Sequence, residues 1–195
     1  MKLIFLSAAA FVVGSIPTGQ IIARMRGLDL RKTGSGNIGA TNVLRSAGIW
    51  PALFTLVGDI LKGVTAVFLG RYFFAGRSSY EGIMGLCAIL GHDFSIFLKF
   101  RGGKGVATSI GVLSIYSPQT ALFTIIIWLM TVVVSRYSSL GALVSFGLMP
   151  VGIAAFDRKE KLPVAFLMSI LVFIRHKDNI SRLVKGTETK VRKQP

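Results

Sequence analysis

Long apolar runs alternate with short polar segments along almost the whole chain. The apolar runs cover positions 3–23, 51–74, 82–98, 106–117, 119–135, 139–156 and 162–175. Runs of about 17–25 residues can cross a bilayer as α-helices, which satisfy their backbone polar groups internally. The pattern therefore predicts an all-α polytopic membrane protein with about seven transmembrane helices.

Two of these runs are short for a full crossing. At about 1.5 Å per residue, residues 106–117 barely reach across the hydrocarbon. Pro118 marks the expected break between the fourth and fifth helices. The first run has few charges and no A-x-A cleavage pattern after it, so we expect a retained helix rather than a signal peptide. No repeat or linker divides the chain, which predicts a single domain over residues 1–195, with a polar tail (185–195) that frays.

The charged residues are distributed according to the same alternation of apolar and polar segments. The chain carries a formal net charge of +15 although 52% of its residues are hydrophobic, and its basic residues lie mainly between the apolar runs. This distribution favours membrane topology and phosphate-bearing partners over nucleic acid. If the loop after the first run is cytoplasmic, sixteen Lys and Arg residues lie on that side and six on the other. The positive-inside rule then predicts an outside N-terminus, a cytoplasmic C-terminus and three glycine-rich or basic motifs on the cytoplasmic face.

The first polar motif, RKTGSGNIGATNVLRSAG at residues 31–48, contains the G-x-G-x-x-G spacing of a dinucleotide-binding turn. Asp59 even lies where that turn expects an acidic residue. However, the turn requires a buried strand before its first glycine, whereas LDLRKT precedes it here and Asp59 lies inside an apolar run. We therefore reject a dinucleotide site.

An anion-binding loop fits the same residues better. Glycines let successive backbone N–H groups point at one anion, and an arginine can hold a phosphate with two parallel hydrogen bonds. The candidate side-chain ligands are Ser35, Asn37, Thr41, Asn42 and Arg45. A flexible glycine-rich connector is the alternative that composition alone leaves open.

The second motif, GHDFSIFLKFRGGKGVATSIG at residues 91–111, places glycines directly before an apolar run. A helix that begins there would point its unsatisfied N–H groups and positive dipole end at the cytoplasm. The candidate phosphate ligands are Gly102, Gly103, Lys104, Gly105 and Thr108. The motif is not a Walker A loop, because Leu98 and Gly105 stand where Gly and Ser/Thr are required. It predicts phosphate binding without nucleotide hydrolysis.

The third motif, FIRHKDNISRLVKGTE at residues 173–188, follows the last apolar run. Arg175, His176 and Asn179 share a face if the helix continues. His176 and His92 are each candidates for a general base, a proton donor or a substrate clamp, with an interfacial structural histidine as the alternative. Two distant histidines and a single cysteine do not form a metal-ligand pattern, so we expect no metal.

Asp59 and Lys62 place two charges inside the second apolar run. At a spacing of i,i+3 they face the same side of a helix, which lowers the cost of holding both charges in lipid. We expect a structural ion pair directed into the bundle. An intramembrane proton relay is the alternative.

Three segments together resemble the bacterial acyl-phosphate-dependent glycerol-3-phosphate acyltransferase family of integral membrane enzymes. They are GSGNIGATNVLR (34–45), GHDFSIFLKFRGGKGVAT (91–108) and IRHKDNISRLVKGTE (174–188), and GDILKG (58–63) and GSIPTG (14–19) are similar too. The resemblance implies a seven-helix protein of the bacterial inner membrane. It would transfer a fatty acyl group from acyl phosphate to the 1-hydroxyl of glycerol 3-phosphate, giving lysophosphatidic acid and phosphate. Ser95 departs from an expected proline, and the H-x-x-x-x-D box of other glycerolipid acyltransferases is absent.

The resemblance and the motifs together suggest roles for individual residues. The candidate catalytic residues are Ser35, Lys104, His176 and Asn179. The candidate substrate-binding residues are Arg45, Asn37, Thr41, Asn42, His92, Gly102, Gly103, Gly105 and Thr108. Because acyl phosphate is already activated, direct attack by the hydroxyl needs mainly positioning and neutralised charge, and the substrate's own phosphate can accept the proton.

The expected partners are acyl phosphate, glycerol 3-phosphate and membrane lipid, without a cofactor. Two other functions remain open from the sequence. A small transporter of phosphate-bearing solutes would use Asp59 and Lys62 as intramembrane relays. A CDP-alcohol phosphotransferase would need several aspartates to hold a metal, and this chain has few aspartates.

Overall fold

The computed structural model describes residues 1–191, which form ten α-helices and two short 3₁₀ turns and contain no β-strand. The helices are α1 Lys2–Ser15, α2 Thr18–Arg24, α3 Ala40–Ala47, α4 Ile49–Phe73, α5 Ser78–Asp93, α6 Val106–Tyr116, α7 Pro118–Ser135, α8 Ser138–Phe156, α9 Leu162–Arg175 and α10 Lys177–Val184. The 3₁₀ turns are Ile96–Leu98 and Lys159–Lys161.

The all-α polytopic architecture predicted from the apolar runs is confirmed. Five segments are long and apolar enough to cross a membrane: Lys2–Arg24, Ile49–Phe73, Ser78–Leu98, Pro118–Ser135 and Ser138–Phe156. Two further apolar helices are shorter, with 11 residues in α6 and 14 in α9. The count of seven crossings therefore stays a prediction.

Two of the predicted runs are interrupted in the structure. The first divides into α1 and α2 at Pro17, because proline has no N–H to donate and disfavours helical geometry at the residue before it, Ile16. The third run leaves the α-helix at Asp93 and continues through a turn into the 3₁₀ segment Ile96–Leu98. The α-helix therefore ends before the predicted run does, and the turn that follows leads into the glycines of the second motif.

α6 runs through the apolar centre of the bundle. Its Val112 and Leu113 are fully buried in a cluster formed with residues of α4, α5, α8 and α9. α6 and α4 approach each other at the backbone. A Cβ at Gly63 would fall 2.6 Å from the Val112 nitrogen, and one at Gly111 would fall 2.8 Å from the Ile60 carbonyl carbon. Glycine on both helices permits this contact, which sets the height of α6 against α4.

The three polar motifs meet at one end of the bundle, which we call the site end (residues 25–48, 94–105 and 176–191). Arg31 of the first motif donates to the Gly102 carbonyl at 3.4 Å. Arg175 of the third motif donates to the Gly103 carbonyl at 2.9 Å. The convergence expected from alternating helix directions is therefore present.

The polar tail does not fray as predicted, up to residue 191. The Val191 N–H donates to the Arg136 carbonyl at 2.9 Å, and Arg45 donates to the Thr189 carbonyl at 2.8 Å. Polar composition predicted disorder, but these long-range hydrogen bonds fold the tail back onto the site end. Residues 192–195 of the tail lie outside the described residues.

Gly111→Ala should lower the thermal stability of the protein. The new methyl group would have to displace the α4 backbone at Ile60. Overpacking of a tight core costs about 1–3 kcal/mol. The melting temperature of the purified protein in detergent measures this effect.

Gly147→Ala is a matched control within α8. A Cβ there would meet the Phe173 ring at 3.5 Å, an ordinary contact distance, and alanine favours a helix over glycine. Equal melting temperatures for the Gly111 and Gly147 variants would contradict the backbone approach of α4 and α6.

Candidate active site

A cavity of about 580 Å³ opens at the site end and continues between the helices. Its polar part is lined by Ser35, Asn37, Thr41, Asn42, Arg45, Asp59, His92, Lys104, Gly105, His176, Asn179 and Glu188. Its apolar part includes Leu53 and Leu56 of α4, Ile125 and Leu129 of α7, and Phe146 of α8. One cavity therefore joins a charged mouth to a hydrocarbon-like slot.

Part of the wall of the apolar slot is exposed. Leu53, Leu56 and Leu129 line the slot, and each of these residues is more than a third exposed. Phe146 and Ile110 lie deeper on its walls, and Phe146 is fully buried. An alkyl chain could therefore enter from the membrane side and lie beneath the polar groups.

Asn42 organises the loop of the first motif. Its amide nitrogen donates to the carbonyls of Thr33 at 3.0 Å and Asn37 at 2.7 Å, and its Oδ1 accepts the Ser35 N–H at 2.9 Å. Buried polar groups need such partners, and here the loop backbone supplies them. Asn42 was predicted to bind substrate, but its polar atoms are already bonded, so we assign it to holding the loop that carries Ser35.

The side chains of Ser35 and Asn37 line the cavity and, within residues 1–191, make no side-chain hydrogen bonds. Thr41 also lines it, with its Oγ1 3.1 Å from the Ser138 hydroxyl. Arg45 presents a half-buried guanidinium from α3. Burial lowers the pKa of Arg45, and the Glu188 carboxylate opposes that shift. Hydroxyl, amide and guanidinium groups are therefore concentrated on one wall, where the guanidinium also donates to the Thr189 carbonyl.

The loop that precedes α6 is held from both of its sides. The Gly102 N–H donates to the Asp93 carbonyl at 3.1 Å, and the Gly103 N–H donates to the His92 carbonyl at 2.9 Å. Arg175 donates in turn to the Gly103 carbonyl. The N–H groups of Gly102 and Gly103, predicted to bind phosphate, are therefore engaged in shaping the loop.

The free donors come directly after these glycines. Gly105 has a left-handed backbone (φ +71°), and the first helical bond of α6 runs from the Ser109 N–H to the Gly105 carbonyl at 2.7 Å. Within the described chain, the N–H groups of residues 104–108 have no acceptor. Consecutive free N–H groups at a helix start form an anion site. The Thr108 hydroxyl, in contrast, is fully buried and does not line the cavity.

Lys104 belongs to a polar chain that joins the second and third motifs and reaches α8. Its ammonium donates to Asn179 Oδ1, and the Asn179 amide donates to Glu188 Oε1 at 2.7 Å. Glu188 also accepts from Arg182 at 2.7 Å and from Ser139 at 2.9 Å. Burial is the main cause that lowers the pKa of Lys104 to about 8, with a further contribution from Arg182.

Glu188 was not among the predicted site residues. The sequence signal for it is an acidic side chain within an otherwise basic tail, and that tail was expected to fray. Its importance follows from tertiary contacts alone, because its partners lie on α8 and α10. Arg31 and Arg175, which hold the loop glycines, were assigned no site role for the same reason.

His176 is buried at the wall of the cavity. Its Nδ1 lies 2.8 Å from the Val172 carbonyl, which can only accept, so Nδ1 carries the hydrogen and Nε2 is left as an acceptor. Burial and the neighbouring Lys104 charge lower the pKa of His176 to about 4. The imidazole is therefore neutral at pH 7.

Asp59 and Lys62 form the ion pair predicted from their spacing, with 2.5 Å between Lys62 Nζ and Asp59 Oδ1. His92 lies beside it, with its Nδ1 3.6 Å from the same carboxylate oxygen. Asp59 and His92 both line the cavity. In the described part of the chain, no group of three or more His, Cys, Asp and Glu side chains could hold a metal ion. The expectation of a metal-free reaction stays a prediction.

Comparison with known proteins identifies the family. The family model described as glycerol-3-phosphate acyltransferase matches residues 4–186. The glycerol-3-phosphate acyltransferase of Geobacter sulfurreducens is 43% identical over 188 residues, which cover 96% of each chain. That of Thermus thermophilus is 46% identical over 190 residues, covering 93% of this chain and 92% of the relative.

Solved structures agree with the sequence relatives. The crystal structure of PlsY (YgiH), an integral membrane glycerol 3-phosphate acyltransferase in its glycerol 3-phosphate form, superposes with a TM-score of 0.91 at 36% identity. The superposition covers 97% of this chain and 96% of the solved chain. The lysophosphatidic acid form gives a TM-score of 0.90 at 35% identity. The chain therefore belongs to the glycerol-3-phosphate acyltransferase family of integral membrane proteins.

Proposed function

We propose that this protein transfers a fatty acyl group from acyl phosphate to the 1-hydroxyl of glycerol 3-phosphate, giving lysophosphatidic acid and phosphate. One observation carries the proposal: a single cavity joins free N–H donors and basic side chains to an apolar slot. An acyl phosphate has the matching shape, an anionic head on an alkyl tail. The solved relative's glycerol 3-phosphate and lysophosphatidic acid forms support the acceptor and the product.

The head of acyl phosphate is assigned to the start of α6. Residues 104–107 line the cavity there, and their N–H groups have no acceptor in the described structure. Such donors stabilise an anion without a metal ion, since they are preorganised and partly shielded from water. The alkyl tail then occupies the slot between α4, α7 and α8.

The phosphate of glycerol 3-phosphate is assigned to Arg45 and Lys104. A guanidinium forms two parallel hydrogen bonds with phosphate, and the ammonium adds a compact charge. Ser35 and Asn37 lie on the same wall, with side chains free to donate. Two phosphate-binding groups within one cavity would bring both substrates together, which makes attack effectively unimolecular.

The reaction is a direct displacement. The 1-hydroxyl oxygen bonds to the acyl carbonyl carbon, the bond from that carbon to the phosphate oxygen breaks, and phosphate leaves. His176 accepts a hydrogen bond from the hydroxyl at Nε2 and orients it, while Asn179 and Glu188 hold Lys104 in place. With a pKa of about 4, His176 is a weak base at neutral pH. The proton therefore passes to the departing phosphate.

We propose that the site end faces the cytoplasm, with the N-terminus outside and the C-terminus inside. Sixteen of the Lys and Arg residues belong to that side and six to the other. The positive-inside rule then orients the protein. Bacterial relatives and several apolar helices support the inner membrane as its location.

The identity of the acyl donor is tested with detergent-purified protein, synthetic acyl phosphate and labelled glycerol 3-phosphate, without CoA or acyl carrier protein. We expect labelled lysophosphatidic acid and one phosphate released per product. Product that forms only with an acyl thioester would contradict the acyl phosphate assignment. Counter-flow of glycerol 3-phosphate in vesicles without any product would favour the transporter.

Arg45→Ala should raise the KM for glycerol 3-phosphate by about 10–100-fold, since a charge-assisted hydrogen bond contributes about 1.5–3 kcal/mol. The KM for acyl phosphate should change little. Arg26→Ala, which removes an exposed charge at the same end of the bundle, is the control. An unchanged KM for glycerol 3-phosphate in the Arg45 variant would refute this assignment.

His176→Ala should lower kcat by about 10–100-fold, on the scale of one hydrogen bond to a reacting group, without removing a limb of the pH profile. The wild-type imidazole titrates near pH 4 and stays neutral from pH 5 to 8. Profiles at saturating substrate report the bound complex. A limb near neutral pH that the wild type shows and the variant lacks would make His176 the proton acceptor instead.

A further inference from the structure

A buried charged cluster lies beneath the glycine loop. Asp59, Lys62 and His92 are each at most 5% exposed. Lys62 Nζ lies 2.5 Å from Asp59 Oδ1, and His92 Nδ1 lies 3.6 Å from that same oxygen. Charged groups inside a membrane bundle are costly and usually serve a function. The catalytic steps above use none of these three side chains.

His92 connects this cluster to the glycine loop in two ways. Its carbonyl accepts the Gly103 N–H at 2.9 Å. Its ring lies so close to Gly103 that an added Cβ would overlap the imidazole Nε2. The position of the His92 ring therefore limits where Gly103 can lie, and residues 104–107 follow directly.

α4 connects the cluster to the other end of the same loop. Asp59 lies about one helical turn before Gly63, where α4 meets the α6 backbone near Thr108 and Val112. The start of α6 is therefore confined between two contacts. The His92 ring restricts the position of Gly103, just before the free N–H groups. The α4 backbone at Gly63 restricts the position of α6 just after them.

We propose that Asp59 and Lys62 are positioning residues that act through His92 on the anion site. The Asp59 carboxylate lies beside the His92 ring, with 3.6 Å between Asp59 Oδ1 and His92 Nδ1, and orients it. Lys62 balances the carboxylate so that it does not repel the bound phosphate. His92 in turn holds Gly103, which sets the direction of the N–H groups of residues 104–107. The inference rests on the proposed function, in which these groups bind acyl phosphate.

This role differs from the proton relay that the sequence left open. Asp59 and His92 line the cavity, whereas Lys62 is not part of its described lining. Asp59 Oδ1 is already shared between Lys62 and His92. The three groups are arranged to fix a ring beside a loop, and a relay would require an onward partner for Lys62.

The test separates the two Michaelis constants in purified enzyme. His92→Ala removes the ring, while His92→Gln keeps an amide group that can reach the position of Nε2 beside Gly103. Asp59→Asn/Lys62→Met removes both charges without leaving either one unpaired. We expect His92→Ala and the double variant to raise the KM for acyl phosphate about tenfold, with the KM for glycerol 3-phosphate within twofold. His92→Gln should recover most of the loss.

Thr55→Ala is the matched control, because Thr55 is a buried polar residue on the same helix whose hydroxyl bonds only to the Pro51 carbonyl. It should leave both KM values unchanged. Melting temperatures in detergent are measured for every variant. A fall in melting temperature or kcat with both KM values unchanged would overturn the proposal and leave only a structural ion pair.

An equal rise in both KM values, or a rise confined to glycerol 3-phosphate, would also overturn it. If the double variant does not fold, the comparison of His92→Ala with His92→Gln still decides, since both keep the ion pair. Wild-type enzyme that makes no product from acyl phosphate would instead refute the proposed function. In that case, hydrogen exchange of residues 104–107 with and without inorganic phosphate, compared between wild type and His92→Ala, still tests the positioning. Equal protection in both would overturn it.

Discussion

A protein that binds an anion at the edge of a bilayer needs hydrogen-bond donors that the fold leaves free. We propose that here these donors are the backbone N–H groups at the start of α6. The N–H groups of Gly102 and Gly103 donate to carbonyls at the end of α5, and Arg175 donates to the Gly103 carbonyl from the other side of the loop. The next five N–H groups stay unpaired in the described structure. α6 has 11 residues and begins beside the cavity. The Gly63–Gly111 contact with α4 keeps it there.

The second constraint is that the groups around this helix start come from distant parts of the chain. Lys104 precedes α6, Asn179 lies on α10, and Glu188 lies in the tail, yet they form one hydrogen-bonded chain. Each charged member has an opposite charge or a polar partner, which limits the cost of burying it. A loss at any one of these positions leaves another group unpaired, so the second and third motifs depend on one another.

Much of this arrangement could be predicted from sequence, for identifiable reasons. Apolar run length predicted the helical membrane architecture, and the i,i+3 spacing of Asp59 and Lys62 predicted their ion pair, because both depend on local geometry. The break at Pro17 was missed, since the run is apolar on both sides of it. Asn42, Gly102 and Gly103 were assigned to substrate, although their polar groups are bonded within the protein. Tertiary contacts decide whether a hydrogen-bond donor is free or already bonded within the protein, and these contacts cannot be predicted from composition. Glu188 and the folded tail were missed for the same reason.

We propose that the free N–H groups of residues 104–107 bind the phosphate of the acyl donor. Hydrogen–deuterium exchange tests it directly, because amides without an acceptor exchange rapidly and a bound anion slows them. Purified protein would be measured with and without a long-chain acylphosphonate, in which a P–C bond prevents turnover. The account predicts slowed exchange at the start of α6. Slowed exchange elsewhere with no change at residues 104–107 would contradict it.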